Sequence, residues 1–288
     1  MPYFFASGRV RAPSTCMCEW KRYSDFWVNF CFKSKWASSS VRILARGFLL
    51  SFREILIRAV HQLQSRPEMA HVHLPDGAFS MLWVITWFAA SLGLMGLLVW
   101  GYRKSGSISV GRLSTASILT ALAFAIFQIE IPLFGGVHLN LTPLLGILLG
   151  PVLGCSSALI VNIFNAALGH GGWSMIGANF LINSVEVVVG YYLLIIFARL
   201  IKSRFSQAGI STVLALTAGN FVMVGIVVVS GIQGSALTSL EIAENLVPLM
   251  IINLALAVVE GVVTAFAVAY AARIKPELLQ VEPAGGVR

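Results

Sequence analysis

Charge is what this chain has least of. Asp, Glu, Lys and Arg together make up 11% of its 288 residues, and apolar residues make up 57%. A soluble domain carries roughly 25% charged residues, so this chain lacks the charge to cover a soluble surface. The composition argues against a soluble enzyme or a nucleic-acid-binding domain and for a polytopic membrane protein. Cysteine is also scarce, and three of the four (Cys16, Cys18 and Cys31) lie near the start. Cys16-x-Cys18 has no second pair, so neither a zinc site nor a disulfide framework follows. Cys155 lies in the apolar region and reads as a small core residue. The chain lacks G-x-x-x-x-G-K-[ST] and H-E-x-x-H, which leaves no sequence basis for ATP binding or for a zinc-peptidase site.

The net charge of +8 is unevenly spread. Residues 1–68 hold 11 Lys/Arg and 4 Asp/Glu, a net of +7, whereas residues 69–288 hold 9 and 8. Residues 41–60 have the pattern of a basic amphipathic helix, with Arg42, Arg46 and Arg53 on one face. Arg46, Arg53 and Glu54 interrupt any secretory apolar core, and no cleavage signature precedes Met69.

Apolar runs occupy about 80–100, 113–131, 141–169, 174–200, 210–231 and 246–272. Basic residues cluster at Arg103, Lys104 and Arg112, at Arg199, Lys202 and Arg204, and at Arg273 and Lys275. The connections 132–140, 170–173 and 232–245 contain no Lys or Arg. The positive-inside rule places the basic connections in the cytoplasm. Parity then requires 141–169 to begin and end outside. As one helix that run would be ~43 Å long, well beyond the ~30 Å core. Gly150-Pro151 interrupts it. The expectation is a hairpin of two short helices, about seven membrane segments in all, and an all-α fold whose first segment starts outside. A +7 tail would hold that end inside, and a chain functionally beginning at Met69 removes the conflict. The expected organisation is therefore an extension at 1–68, either a mis-assigned start or a processed leader, a membrane domain at 69–280 and a tail at 281–288.

Of five histidines, His71, His73, His138 and His170 all flank the outer ends of apolar runs, with no Lys or Arg among them. Imidazole suits nickel, copper, zinc and iron, and a metal site competes evenly with four headgroup-level histidines. Asn179, Asn183 and Glu186 fall within about 60° of one another on a helix. They read either as a polar wall beneath a metal or as interhelical hydrogen bonding, and Asn253 and Glu260 invite the same two readings. Ser117, Ala121 and Ala125 form one small-residue stripe, and Ala257, Gly261, Ala265 and Ala269 form another.

Four segments carry a resemblance. MAHVHLPDGAFS (69–80), GGVHLNLTPLLGILLGP (135–151), GHGGWSMIGANFLIN (169–183) and LALAVVEGVVT (254–264) resemble the CbiM/NikM family over about residues 69–280. These proteins are the substrate-specific membrane subunits of energy-coupling-factor transporters for cobalt and nickel. The resemblance implies a bundle like that of other such subunits and Co2+ or Ni2+ as transported substrate. The metal would serve cobalamin or nickel enzymes. It also implies a transmembrane coupling subunit, cytoplasmic ATPase subunits and a small accessory membrane subunit as partners, in the plasma membrane. No nucleic acid is involved.

The family binds its metal through the free N-terminal amine, an early His and a second His in a later loop. Amine, backbone amide and imidazole from one short peptide form fused chelate rings, and planar nitrogen ligation suits nickel. The resemblance places Met69, Ala70, His71 and His73 in the tail's ligand region and makes His138 the second His. His73 matches by its Leu-Pro-Asp-Gly sequel and His71 by its position, and His71 is preferred for the chelate. Asp76 reads as a turn residue delivering the tail, and His170 either supports the site or anchors its loop. Ser117, Ala121 and Ala125 resemble the surface on which such subunits dock their coupling partner. Rival readings are a membrane metal sensor and an intramembrane metalloenzyme, for which Asp76 and Glu130 would be the nearby acid/base groups.

Overall fold

The computed structural model describes residues 76–103, 109–129, 138–169 and 171–274. Met69, Ala70, His71, His73, Glu130 and His170 lie outside the described residues, as do the 1–68 extension and the 281–288 tail.

The described residues are helical, with six helices long and apolar enough to cross a membrane. They are α1 (Met81–Arg103), α2 (Val110–Phe127), α3 (Thr142–Ala167), α4 (Ile176–Leu200), α5 (Arg204–Ser230) and α6 (Ser239–Ile274), with a 3-10 turn at Trp173–Met175 before α4. The fold is that of an all-α polytopic membrane protein. Large apolar residues such as Leu92, Ile118, Phe221 and Phe266 are exposed along the helices, as expected of surfaces meeting lipid. Polar residues mark the helix starts. Ser109 caps α2 by accepting from the Arg112 N–H, and Ser203 caps α5 through Ser206. Thr238 and Glu241 form a reciprocal capping box at the start of α6.

The expected hairpin is present within α3. Gly150 has φ 79° and ψ 176°, a left-handed conformation that favours glycine, and Pro151 follows without an N–H to donate. The chain turns back there. A Cβ added to Gly154 would lie 3.2 Å from the Gly146 Cα and the Leu145 oxygen, contacts impossible along one straight helix. The seven expected segments are thus six helices with the third bent double. The first arm, Thr142–Leu149, is only ~12 Å long and does not cross the membrane alone. Every residue from Leu141 to Gly150 is buried, and Cys155 is buried as its composition suggested.

Three polar rungs tie α2 to α3, each joining residues 37 apart. Arg112 Nη2 donates to the Leu149 oxygen at 3.0 Å, Thr120 Oγ1 to Ser157 Oγ at 2.7 Å, and Gln128 Nε2 to Asn165 Oδ1 at 2.8 Å. A constant offset means that α2 and the second arm of α3 run parallel, as the parity argument required. Ala116, Thr120 and Ala123 are the buried face of α2, and Ser117, Ala121 and Ala125 are exposed. The stripe on α6 does the opposite. Ala257, Gly261 and Ala265 are buried, and Gly209 of α5 sits against Gly261 and Ala265.

Glycine sets the closest approach in the core. A Cβ on Gly146 would run into the Val187 backbone carbonyl of α4, which no rotamer change relieves. Gly146→Ala is therefore expected to destabilise the fold by roughly 1–3 kcal/mol or more, the usual cost of overpacking. Gly93→Ala on α1, where a Cβ meets nothing within 4 Å, should not. Thermal unfolding of the two variants in detergent checks this, and equal melting temperatures would refute the packing argument.

Candidate metal centre

The connections free of Lys and Arg converge on one cavity of about 880 Å3 between the helices, lined by Asp76, His138, Gly172 and Gln233 among others. It extends inward to Asn183, Glu186 and Glu260. The basic clusters lie at the other ends of these helices, with Arg103, Arg199 and Arg273 in the last turns of α1, α4 and α6.

His138 is half-buried, and its ring stacks on Phe127 with centroids 4.7 Å apart and planes 8° from parallel. Its Nδ1 lies 2.6 Å from the Phe127 carbonyl oxygen at the end of α2. A carbonyl only accepts, so Nδ1 carries the hydrogen in this contact, and in the neutral ring the lone pair is then on Nε2. That tautomer is the one in which a histidine ligates through Nε2, with its other nitrogen held by a backbone carbonyl.

Residues 138–141 form a strap that runs inside the bundle rather than over it. The Asn140 N–H donates to Glu260 Oε1 at 2.8 Å and the Leu141 N–H to Glu260 Oε2 at 3.2 Å. The Asn140 side-chain amide donates to Asn183 Oδ1 at 3.2 Å and to Glu186 Oε2 at 3.0 Å, and the Thr142 hydroxyl donates to the same Glu186 oxygen. Glu186 lies ten residues into α4, about 15 Å along its axis. The last residues of the connection read as external thus descend deep between α4 and α6, which explains why the first arm of α3 is so short. Non-helical backbone at such depth is tolerated only where protein groups satisfy it.

At the start of α1, Asp76 Oδ1 accepts from the Ser174 N–H at 2.8 Å and from its hydroxyl at 2.7 Å. These bonds hold the Asp76 carboxyl below the ordinary carboxylate range. Gly172 presses so closely on Asp76 that a Cβ would strike its carboxylate. The Gln233 N–H donates to the Ala78 oxygen at 2.8 Å. Its side-chain amide, with nitrogen turned inward, reaches the Gly77 and Phe79 carbonyls at 3.2 Å. The turn leading back to the tail is therefore tied to two loops.

Of the residues singled out from sequence, Asp76, His138, Asn179, Asn183 and Glu186 all line the cavity. Asn183 also donates to Asn162 Oδ1 at 3.0 Å. Among the described residues no three His, Cys, Asp or Glu side chains converge to hold a metal ion. His138 is the one histidine among the described residues. The sequence reading missed Phe127, Asn140 and Gln233, and it left the choice between two roles for Glu260 open. The signal for Asn140 and Glu260 was present, since polar groups at membrane depth are costly and ordinarily functional.

The model of the CbiM family, described as the cobalt uptake substrate-specific transmembrane region, matches residues 73–278. A putative cobalt transport protein of Methanocorpusculum labreanum is 25% identical over 217 residues, spanning 73% of this chain and 92% of the relative. A putative fused nickel transport protein of Archaeoglobus fulgidus is 28% identical over 221 residues, spanning 75% of this chain and 70% of the relative. A crystal structure of a transition metal transporter matches with a TM-score of 0.60 at 21% identity, covering 70% of this chain and 93% of its own. That last likeness is one of fold.

Proposed function

The chain belongs to the CbiM family, the cobalt uptake substrate-specific transmembrane region, and on that premise we propose that it captures Co2+ or Ni2+ for an energy-coupled importer. It is a membrane transport component, not an enzyme. The observation that carries the metal reading is His138, lining the cavity and fixed by Phe127 in the Nε2-ligating tautomer. Asp76, the first described residue, lines the same cavity.

In this reading the ion is held by the tail's free amine, its backbone amide, His71 or His73, and His138. Met69 and Ala70 set the chelate spacing. Asp76 fixes the tail's root, and Asn179, Asn183 and Glu186 form the polar wall. His170 is read as a supporting or entry residue. The tail faces outward from the plasma membrane. Ser117, Ala121 and Ala125, on the face of α2 turned away from α3, dock a transmembrane coupling subunit driven by cytoplasmic ATPases, with a small accessory membrane subunit. The imported ion supplies cobalamin or nickel enzymes.

The test is to purify the protein from its native host and measure its intact mass and its metal content together. The expected result is a chain beginning at or near Met69 with one Co2+ or Ni2+ bound. A full-length, unprocessed chain that binds the ion equally well would defeat the free-amine chelate.

A further inference from the structure

We infer that Glu260 is a positioning residue for metal capture: by gripping two consecutive backbone amides just beyond His138, it sets how that imidazole is presented to the ion. The inference rests on the proposed reading of His138 as a ligand.

Glu260 and Leu141 are each only 3% exposed, so the contact lies within the protein. Both carboxylate oxygens are used, one on the Asn140 N–H and one on the Leu141 N–H, across 120 and 119 residues of sequence. These amides stand at the start of α3, where a helix leaves N–H groups unsatisfied. A capping side chain would not serve them, since it accepts from the N–H two or three residues further on. Here the cap is Leu141, which has no side-chain acceptor and adopts φ 50°. Leu141 has the only positive φ of a non-glycine among the described residues. Such a conformation is disfavoured for a bulky side chain and persists only when its surroundings impose it.

A carboxylate within the membrane span is a costly acceptor for two amides. What the carboxylate adds is direction. It pins the strap two and three residues after His138, while Phe127 pins the imidazole itself. Glu186 reinforces the same strap from α4 through the Asn140 side chain and the Thr142 hydroxyl. The strap is thus held from two helices, and His138 is carried on a short tether from a fixed point. Releasing Glu260 would leave the Asn140 and Leu141 amides without this acceptor, free Leu141 to leave the left-handed region and swing His138 relative to the tail. Planar nitrogen ligation is sensitive to such a displacement, and partners that orient a ligating histidine typically contribute 10–100-fold in metal affinity.

The experiment titrates Ni2+, and in parallel Co2+, into detergent-purified protein in the form the native host produces. Wild type, Glu260→Gln, Glu260→Asp, Thr264→Val and His138→Ala are compared by affinity, by the visible ligand-field band of bound Ni2+ and by thermal unfolding. Gln offers one acceptor but sets an NH2 against the second amide, and Asp keeps the charge but falls short of one amide. Both are expected to bind Ni2+ about 10–100-fold more weakly, with a shifted band. Thr264→Val changes a buried hydroxyl on the same helix and should leave affinity and band unchanged. Folded Glu260 variants with wild-type affinity and band overturn the inference, as does failure of both to fold, which would assign Glu260 to folding alone. Absence of Ni2+ and Co2+ binding by wild type, or normal binding by His138→Ala, sinks the proposed function itself, a different and recognisable outcome.

Discussion

His138→Ala will remove the bound ion while leaving the bundle folded. His138 is half-buried, and its ties to the rest of the chain include the Phe127 stack and the 2.6 Å bond to its carbonyl. A single hydrogen bond of this kind contributes about 1 kcal/mol to stability. The strap itself stays anchored downstream, because Asn140, Leu141 and Thr142 keep their bonds to Glu260 and Glu186. Metal binding has no such redundancy. Loss of one nitrogen from a four-nitrogen set removes several kcal/mol, and each 1.4 kcal/mol is tenfold in affinity. The expected loss is at least about 100-fold, with a melting temperature in detergent close to wild type. Metal content of the purified variant decides it: one ion per chain at wild-type affinity would show that His138 only packs against Phe127.

How much of this was readable from the chain depends on the range of the forces involved. The hairpin in α3 was legible because two local signals agreed, the parity of basic connections and Gly150-Pro151. The three rungs between α2 and α3 were not, since Arg112, Thr120 and Gln128 recur every eight residues and no single-helix period links them to Leu149, Ser157 and Asn165. The two small-residue stripes looked alike in sequence, yet one packs against α5 and the other faces outward. Packing of the whole bundle separates them. The depth of the strap was hidden for the same reason. Asn140 is an ordinary polar residue before a helix until Glu260, 120 residues later, is folded against its amide. His138 was legible by type and by resemblance, but its tautomer depends on where Phe127 ends α2.

Adding one residue before the functional N-terminus will cost most of the metal affinity without removing any side chain. The chelate proposed for the tail depends on covalent spacing. Amine, backbone amide and imidazole close fused rings only when the histidine stands at a fixed distance from the chain start. If the chain begins at Met69 or Ala70, His71 stands close enough to the amine and His73 stands two residues further on. His71→Ala should therefore match the extended variant in its loss, and His73→Ala should lose less. All three variants leave the anchors of the tail intact, because the Asp76 bonds to Ser174 and the Gln233 bond to the Ala78 oxygen lie downstream of the changes. Each lost ring is expected to weaken binding by several kcal/mol, ~100-fold or more. Titration of Ni2+ into the extended, His71→Ala and His73→Ala proteins gives the order directly. If extending or acetylating the amine leaves affinity unchanged, the amine is not a ligand. The site then reduces to imidazoles of His71, His73 and His138, and a functional start at Met69 would rest only on the conflict between a +7 extension and an outward-facing first helix.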